Sequence, residues 1–449
     1  MMIQFDREAS SFKRVKPSIT RVGLIGAVIT QPIKPRFSTD RSTVGFPRFA
    51  SKLRDEVDVR GETMMSVAPC VTAASRPAVK SAPSRPSRTC PKARTRTIPR
   101  VASPEAEMAT DDLGTCDRTV LASKGGPLHV RTPLIVSKPM SALLGRDVYL
   151  KLDAMQPSGS FKLRGIGYTC QKAIAEGANA LVSSSGGNAG LATAYAGQRL
   201  RAPTTVVVPE TTPEFIRERL RSLGAQVIVH GSQWSEAHAH AVALNDDVGG
   251  KLVHPYEDVD TWTGHATVVH EIKSDLAAMG VSTPPAAIVT CVGGGGLLAG
   301  ILQGLAEVGW GETCPVVAAE TIGADSLATS VDAGELRTLP GIDSVAKSLG
   351  AASPSPHVLA MALERKGNGL VRTWRTEDAA AIDACMKFAD DHRVLVEPAC
   401  GAALSAVYGG TCEALRGLTG DGPVVVEVCG GAIIDRKTLA GYAAQFGLE

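Results

Sequence analysis

The residue with the strongest claim to chemistry is Lys162, the last of the run PSGSFK at 157–162. A strand-like segment, DVYLKL at 147–152, precedes the run, and a helix-like stretch from Leu163 toward Gly177 follows it. The lysine therefore sits where a helix begins, beside the positive end of the backbone dipole, a poor place for an ammonium. Partial desolvation lowers the pKa of such a lysine. The neutral amine is then a nucleophile able to form a Schiff base with a carbonyl compound such as pyridoxal phosphate. Most lysines are solvated surface charges, so the assignment depends on what surrounds this one.

Three more strand ends carry unusual residues. SSSGGNAG at 183–190 breaks from strand into small polar residues before a helix at 191–200. Its backbone N–H groups and the Ser185 hydroxyl can hold a carboxylate, and Asn188 can hydrogen-bond a ring oxygen. A glycine-rich turn with a capping Ser or Asn reads the same letters equally well. CVGGGGL at 291–297 lets several N–H groups converge on an anion, as a phosphate requires. The same residues also fit a dinucleotide fingerprint, with Gly294, Gly296 and Ala299 as G-x-G-x-x-A and Glu320 ending the next strand. VCGG at 428–431 presents one thiol, Cys429, which would leave a facing pyridine nitrogen unprotonated; a buried cysteine packing as a small hydrophobe is the commoner case.

Something regular must position these loops. From about Gly126, β-branched apolar runs alternate with alanine-rich amphipathic segments. Strands are expected at 180–184, 204–208, 226–230, 286–290, 315–320 and 424–428, with helices in most of the intervals. That order predicts an α/β fold, a largely parallel sheet flanked by helices, with ligands at strand C-terminal ends.

With 449 residues and 44% hydrophobic composition, the chain holds two or three domains' worth of polypeptide. Its net charge of +2 conceals an asymmetry, since residues 65–104 contain eight Lys or Arg and no Asp or Glu. Such a segment cannot bury enough apolar area to offset its entropy, so disorder is expected, with the composition of an organellar transit peptide for plastid or mitochondrion. A nucleic-acid-binding arm is disfavoured because the segment lacks Tyr and Trp to stack on bases. The preceding residues 1–63 have mixed charge and one apolar patch at 22–30, too short to span a bilayer, and the pair Met64 and Met65 marks an alternative start. No long apolar run occurs, so no membrane association is expected. Ten cysteines without a C-x-x-C pair argue against a zinc site or a disulfide framework. His238 and His240 fall two apart on a helix-like stretch and are read as surface.

Taken in order, PSGSFK, SSSGGNAG, VGGGGLL and VCGG resemble the pyridoxal-phosphate (PLP) dependent enzymes of fold type II, and within them the serine dehydratase branch. The resemblance covers about residues 126–449 and extends to 218–224, VGWGE at 308–312, SVAKSLG at 344–350 and VEPACGAA at 396–403. It implies a two-domain PLP fold: a large cofactor domain from 123–155 and 260–449, a small domain at 156–259, and a disordered basic extension over 1–122. By the same resemblance Lys162 is the Schiff-base lysine and proton shuttle, with Phe161 packed on the cofactor ring. Ser185, Gly186, Gly187, Asn188 and Ala189 hold the substrate carboxylate, and Asn188 bonds the ring hydroxyl. Gly293, Gly294, Gly295, Gly296 and Leu297 cradle the phosphate, Cys429 faces the ring nitrogen, and Pro255 lies near the cofactor.

A monovalent cation, potassium, is implied at Glu320, Ala324 and Ser326, with carbonyls from Gly293, Leu349 and Ala351; serine racemases instead place an Asp that suits a divalent cation at the position matching Ser326. The implied activity is deamination of L-serine, and of L-threonine, by α,β-elimination to a 2-oxo acid and ammonia, in a homodimer serving amino-acid catabolism and gluconeogenesis. The resemblance gives the cofactor phosphate the task of protonating the leaving hydroxyl. Only twenty residues follow Cys429, too few for an amino-acid-sensing domain. Gly186 stands where relatives often carry Ala, and the extra space is expected to alter the grip on serine and to admit other substrates, leaving the serine-to-threonine preference open. A serine racemase, a dinucleotide-dependent oxidoreductase using 294–299, and a catalytically silent binding module are the competing readings.

Overall fold

The computed structural model of the protein describes residues 110–410 and 412–448; the expectations for 1–63 and for the basic stretch at 65–104 lie outside the described residues. Residues 110–122 are ordered, which corrects the expected disorder up to 122. A 3-10 turn, Thr110–Leu113, and helix α1 (Arg118–Ser123) bury Leu113, Cys116 and Leu121 against Tyr168. Asp117 caps α1 by accepting from the N–H groups of Thr119 and Val120.

Ten strands follow: β1 (Leu134–Val136), β2 (Val148–Lys151), β3 (Leu181–Ser183), β4 (Thr204–Val208), β5 (Gln226–Val229), β6 (Lys251–Leu252), β7 (Ala287–Cys291), β8 (Val316–Thr321), β9 (Val371–Thr376) and β10 (Val424–Glu427). They form a six-stranded sheet in the order β1-β2-β10-β7-β8-β9 and a four-stranded sheet in the order β5-β4-β3-β6. Every pairing is parallel except β1 with β2. The central strands β7 (AIVTC) and β10 (VVVE) are buried at every position, as strands covered on both faces must be.

Helices fill the intervals: α2 (Lys138–Leu144), α3 (Lys162–Ala175), α4 (Asn188–Leu200), α5 (Glu214–Ser222), α6 (Trp234–Val248), α7 (Val259–Ala278), α8 (Gly296–Glu307), α9 (Ser326–Ala333), α10 (Pro356–Lys366), α11 (Asp378–His392), α12 (Pro398–Tyr408) and α13 (Arg436–Gln445). None is long and apolar enough to cross a membrane. The strands β1, β6 and β9 were not expected from the sequence. The first two have only three and two residues, and β9 (VRTWRT) interleaves charge with apolar residues at a sheet edge.

Helix α3 is fixed to the large sheet by buried charge. Arg164, fully buried, donates to Asp153 and Glu271 at 2.6 Å each, and Lys151 at the end of β2 pairs with the same Glu271 at 2.7 Å. Arg164 and Lys151 together hold the Glu271 carboxyl down at about 2 despite its burial. All eight described cysteines are free and buried.

Candidate active site

The motifs at 157–162 and 428–431 are stitched together by backbone. Phe161 N–H donates to the Cys429 carbonyl at 3.1 Å, Gly431 N–H to the Gly159 carbonyl at 2.9 Å, and Ser160 bridges Gly430. Close approach explains the glycines: at Gly159 and Gly430 φ is +83° and +86°, and a side chain at either would strike the opposing segment. This ladder carries Lys162, the first residue of α3, to the C-terminal end of β10.

Lys162 Nζ donates to the carbonyl of Pro255 at 2.7 Å and stands 5.1 Å from the Phe161 ring centroid. Burial lowers its pKa to about 8, against the opposing pull of Cys291, Cys429 and Glu397. Phe161 in turn packs on His265, ring centroids 5.1 Å apart. The structure thus brings Lys162, Phe161, Pro255 and Cys429 into one place.

The Cys429 thiol lies 3.4 Å from that of Cys291, which ends the neighbouring strand β7. Hydrogen bonding with Cys291 and Cys400, together with burial, pushes the Cys429 thiol well above its usual range, so it is neutral.

The run of glycines after β7 forms an open cradle. Gly295 takes φ +96° as the residue before α8, and no side chain caps that helix, leaving its first-turn N–H groups for a ligand. Side chains crowd the outer face: Tyr256 packs across Gly294 and Gly296, and an added Cβ at Gly295 would meet Val358 at 2.6 Å. An anion approached by bare backbone fits such a cradle. With Lys162 and the neutral Cys429 alongside, these residues fit a phosphorylated pyridine aldehyde.

At the end of β3, Ser185 Oγ accepts from the Gly187 N–H at 3.2 Å, shaping the loop that opens α4. Asn188 begins α4 with its amide clamped: Oδ1 accepts from the Ala432 N–H at 2.8 Å, and Nδ2 donates to Glu397 Oε1 at 2.8 Å. Gly186 corrects an expectation. The space beside it is filled, since an added Cβ would meet Thr212 Oγ1 at 2.6 Å and Thr212 Cγ2 at 2.9 Å. His238 is also not a bystander on the surface, because its Nδ1 lies 2.9 Å from the Ser184 hydroxyl, one residue before Ser185.

Glu320, Ala324, Ser326 and Leu349 are buried, Leu349 lying against Gly293, with Ala351 half-buried two residues further on. Both Glu320 oxygens accept N–H bonds at the start of α9, from Leu327 at 2.9 Å and Ala328 at 2.7 Å. Burial raises Glu320 to about 8, and the Ser326 hydroxyl is buried without a partner. Both carboxyl oxygens are thus engaged by the start of α9, which weighs against the acidic half of the dinucleotide fingerprint. Neighbouring Asp325 is engaged by Arg375 at 2.6 Å and does not enter the group.

Glu397 was not singled out from the sequence. The signal was an acid between apolar Val396 and Pro398 at a helix start; its side chain caps nothing on its own helix and reaches Asn188 instead.

Comparison with known proteins agrees with this geometry. Residues 127–430 match the family described as "Pyridoxal-phosphate dependent enzyme". A bovine (Bos taurus) protein named "L-serine dehydratase/L-threonine deaminase" is 44% identical over 330 residues, covering 72% of this chain and 98% of its own length. A human (Homo sapiens) "Serine dehydratase-like" protein is 45% identical, covering 72% of this chain and 97% of its own. The crystal structure of a fungal L-serine ammonia-lyase from Rhizomucor miehei superposes with a TM-score of 0.66 at 38% identity, covering 71% of this chain and 99% of the fungal one. The chain belongs to the pyridoxal-phosphate dependent enzyme family.

Proposed function

We propose that the protein deaminates L-serine, and L-threonine more broadly, by α,β-elimination, yielding pyruvate or 2-oxobutanoate and ammonia. The reading is carried by Lys162: a half-buried amine at a helix start, bonded to one carbonyl at 2.7 Å and brought down to about 8 where three glycine-rich strand ends meet. Pyridoxal phosphate, when bound, supplies the carbonyl for the substrate amine and the electron sink for the α-carbanion.

The chain's own residues do the rest. The 185–189 loop orients the substrate carboxylate through Ser185 and backbone N–H groups. Lys162, displaced as a neutral amine, takes the α-proton. The β-hydroxyl leaves with a proton as water, and the released enamine is hydrolysed to the oxo acid and ammonia, a step that consumes one water, so none is gained or lost overall. Cys429, a neutral thiol, adds no charge to the ring nitrogen. The Lys162 stem beside Phe161 keeps the amine out of bulk water.

A lyase is favoured over a racemase by Ser326, a neutral oxygen beside Glu320, with Asp325 occupied by Arg375. That oxygen set suits potassium, held by Glu320 and Ser326 with the carbonyls of Gly293, Ala324, Leu349 and Ala351. The resemblance supports a homodimer and a catabolic role feeding gluconeogenesis, and the acid-free composition of 65–104 supports targeting to an organelle.

The test is spectroscopic. Purified protein should show the absorbance of lysine-bound pyridoxal phosphate and form pyruvate from L-serine. A wild type without that band, or a Lys162→Ala variant with the band unchanged, overturns the reading. Formation of D-serine in place of pyruvate would favour the racemase.

A further inference from the structure

Glu397 is a buried acid that the steps above do not use. It precedes α12, and one oxygen, Oε1, accepts from Asn188 Nδ2 at 2.8 Å, while the other, Oε2, has no partner. An unpaired carboxyl oxygen out of water is costly unless the group has work to do. The surrounding chain is shaped around it. Gly431, at φ +128°, lies against the carboxyl so closely that no side chain could be added there.

The geometry settles which way Asn188 faces. Ala432 N–H can only donate, so the amide oxygen of Asn188 must face it and the NH2 group must face Glu397. One amide hydrogen is taken by Glu397. The other points to the Ser348 hydroxyl at a long 3.4 Å, a contact that a cofactor ring oxygen would replace. The Glu397 N–H donates to the Gly430 carbonyl at 3.3 Å, on the segment that pairs with Ser160 and Phe161 just before Lys162, and across this link the carboxyl and the Lys162 amine draw each other toward the charged state.

We propose that Glu397 is a positioning residue for the elimination: it locks the Asn188 amide and acts as the buried counter-charge that sets how readily Lys162 gives up its proton. The assignment rests on the lyase reading above and adds a residue to it. Burial raises the carboxyl to about 7, so it can change charge near neutrality as the lysine does. The titratable groups facing it are Lys162 from α3 and Cys385 from α11, with Tyr442 of α13 lining the same recess. The Cys385 thiol is pushed well up by burial and donates to the Glu397 carbonyl at 3.3 Å. Asn188 and Ser348 face it as neutral dipoles, and Lys347 borders the recess from its exposed rim.

Ionised Glu397 favours the ammonium of Lys162, so its removal lowers the lysine's pKa. Apoprotein can be titrated with added pyridoxal phosphate, because the capture rate against pH reports the neutral fraction of Lys162. Glu397→Gln keeps an acceptor for Asn188 but loses the charge; its capture profile should move to lower pH by about one unit. Glu397→Asp keeps the charge and should hold the wild-type midpoint more closely than Gln does. Glu397→Ala, without an acceptor, should in addition lower kcat by about tenfold or more while KM changes less, a loss on the scale of an outer-sphere partner. Circular dichroism of each variant checks the fold. A Glu397→Gln profile that overlays wild type, or an Asp variant shifted as far as Gln, overturns the assignment and leaves the lyase reading standing. Wild-type apoprotein that captures no pyridoxal phosphate overturns both.

Discussion

The sulfur atoms of Cys291 and Cys429 lie 3.4 Å apart at the ends of the adjacent strands β7 and β10. Each closes a strand that leads into a glycine turn, so the Cys429 thiol, proposed to face the ring nitrogen, is held by a second thiol.

Replacing Cys429 separates neutrality from sulfur chemistry. Cys429→Ser keeps a neutral donor and should retain activity within about tenfold, whereas Cys429→Asp places an anion beside the ring nitrogen and should lose about a hundredfold or more. The measurement is kcat for L-serine with cofactor content checked by absorbance; equal loss in both variants would sink the argument.

The lowered pKa of Lys162 carries a stability cost that pH exposes. The unfolded lysine titrates near 10.5 and the folded one near 8, so between those values the unfolded chain binds the extra proton and stability of the apoprotein rises with pH. Below about 8 the full penalty applies, on the order of 3 kcal/mol. Lys162→Met should therefore make the apoprotein more stable to urea at pH 7, and the advantage should shrink by pH 10. An advantage independent of pH would contradict this cause.

Gly186→Ala should not simply refill a gap. Its Cβ meets Thr212 at 2.6 Å, so the variant should lose about 1–3 kcal/mol of stability by overpacking. Thr212→Ala added to it should restore stability, because the two close atoms are then gone. The serine-to-threonine ratio of kcat/KM in the four proteins reads whether this contact also sets substrate preference. Full additivity of the two substitutions would show that they are not in contact.

Arg164 should be among the least replaceable residues outside the chemistry. Arg164→Leu leaves Asp153 and part of Glu271 buried without their cation, at a cost of about 3–5 kcal/mol. Thermal unfolding of the cofactor-loaded enzyme checks it; a Tm unchanged from wild type would refute the anchoring of α3.

Potassium should raise the Tm relative to an equal concentration of choline, through the oxygens around Glu320. Glu320→Gln should abolish the difference. If lithium or magnesium proves the better stabiliser, the cavity is not built for potassium.

Much of the site could be read from the sequence because it is made of local features. A strand, a glycine turn and a helix start are contiguous, and Lys162, Ser185, Asn188, Gly293 and Cys429 all sit at such junctions. Strands β4, β7 and β10 declared themselves through β-branched runs that only a doubly covered sheet favours. What stayed hidden depends on pairing across the chain. Asn188 and Glu397 are 209 residues apart, and Arg164 and Glu271 are 107 apart. Nothing in the letters joins them. Thr212 escaped for the same reason, and its contact reversed the inference drawn from Gly186 alone. The edge strand β9 was obscured by its arginines, which lean out to Asp325 and Asp332 from Arg375 and to the Ala414 carbonyl from Arg372.

The eight buried cysteines also make the folded molecule a set of built-in clocks. A thiol reagent reaches each only when its surroundings open, so labelling rates read local opening without any engineered probe. Cys116 times the detachment of the segment before α1, Cys170 the loosening of α3, Cys314 the edge before β8, and Cys429 the heart of the cleft. Cofactor binding should slow the last of these most, which turns occupancy of the site into a rate that can be followed by mass.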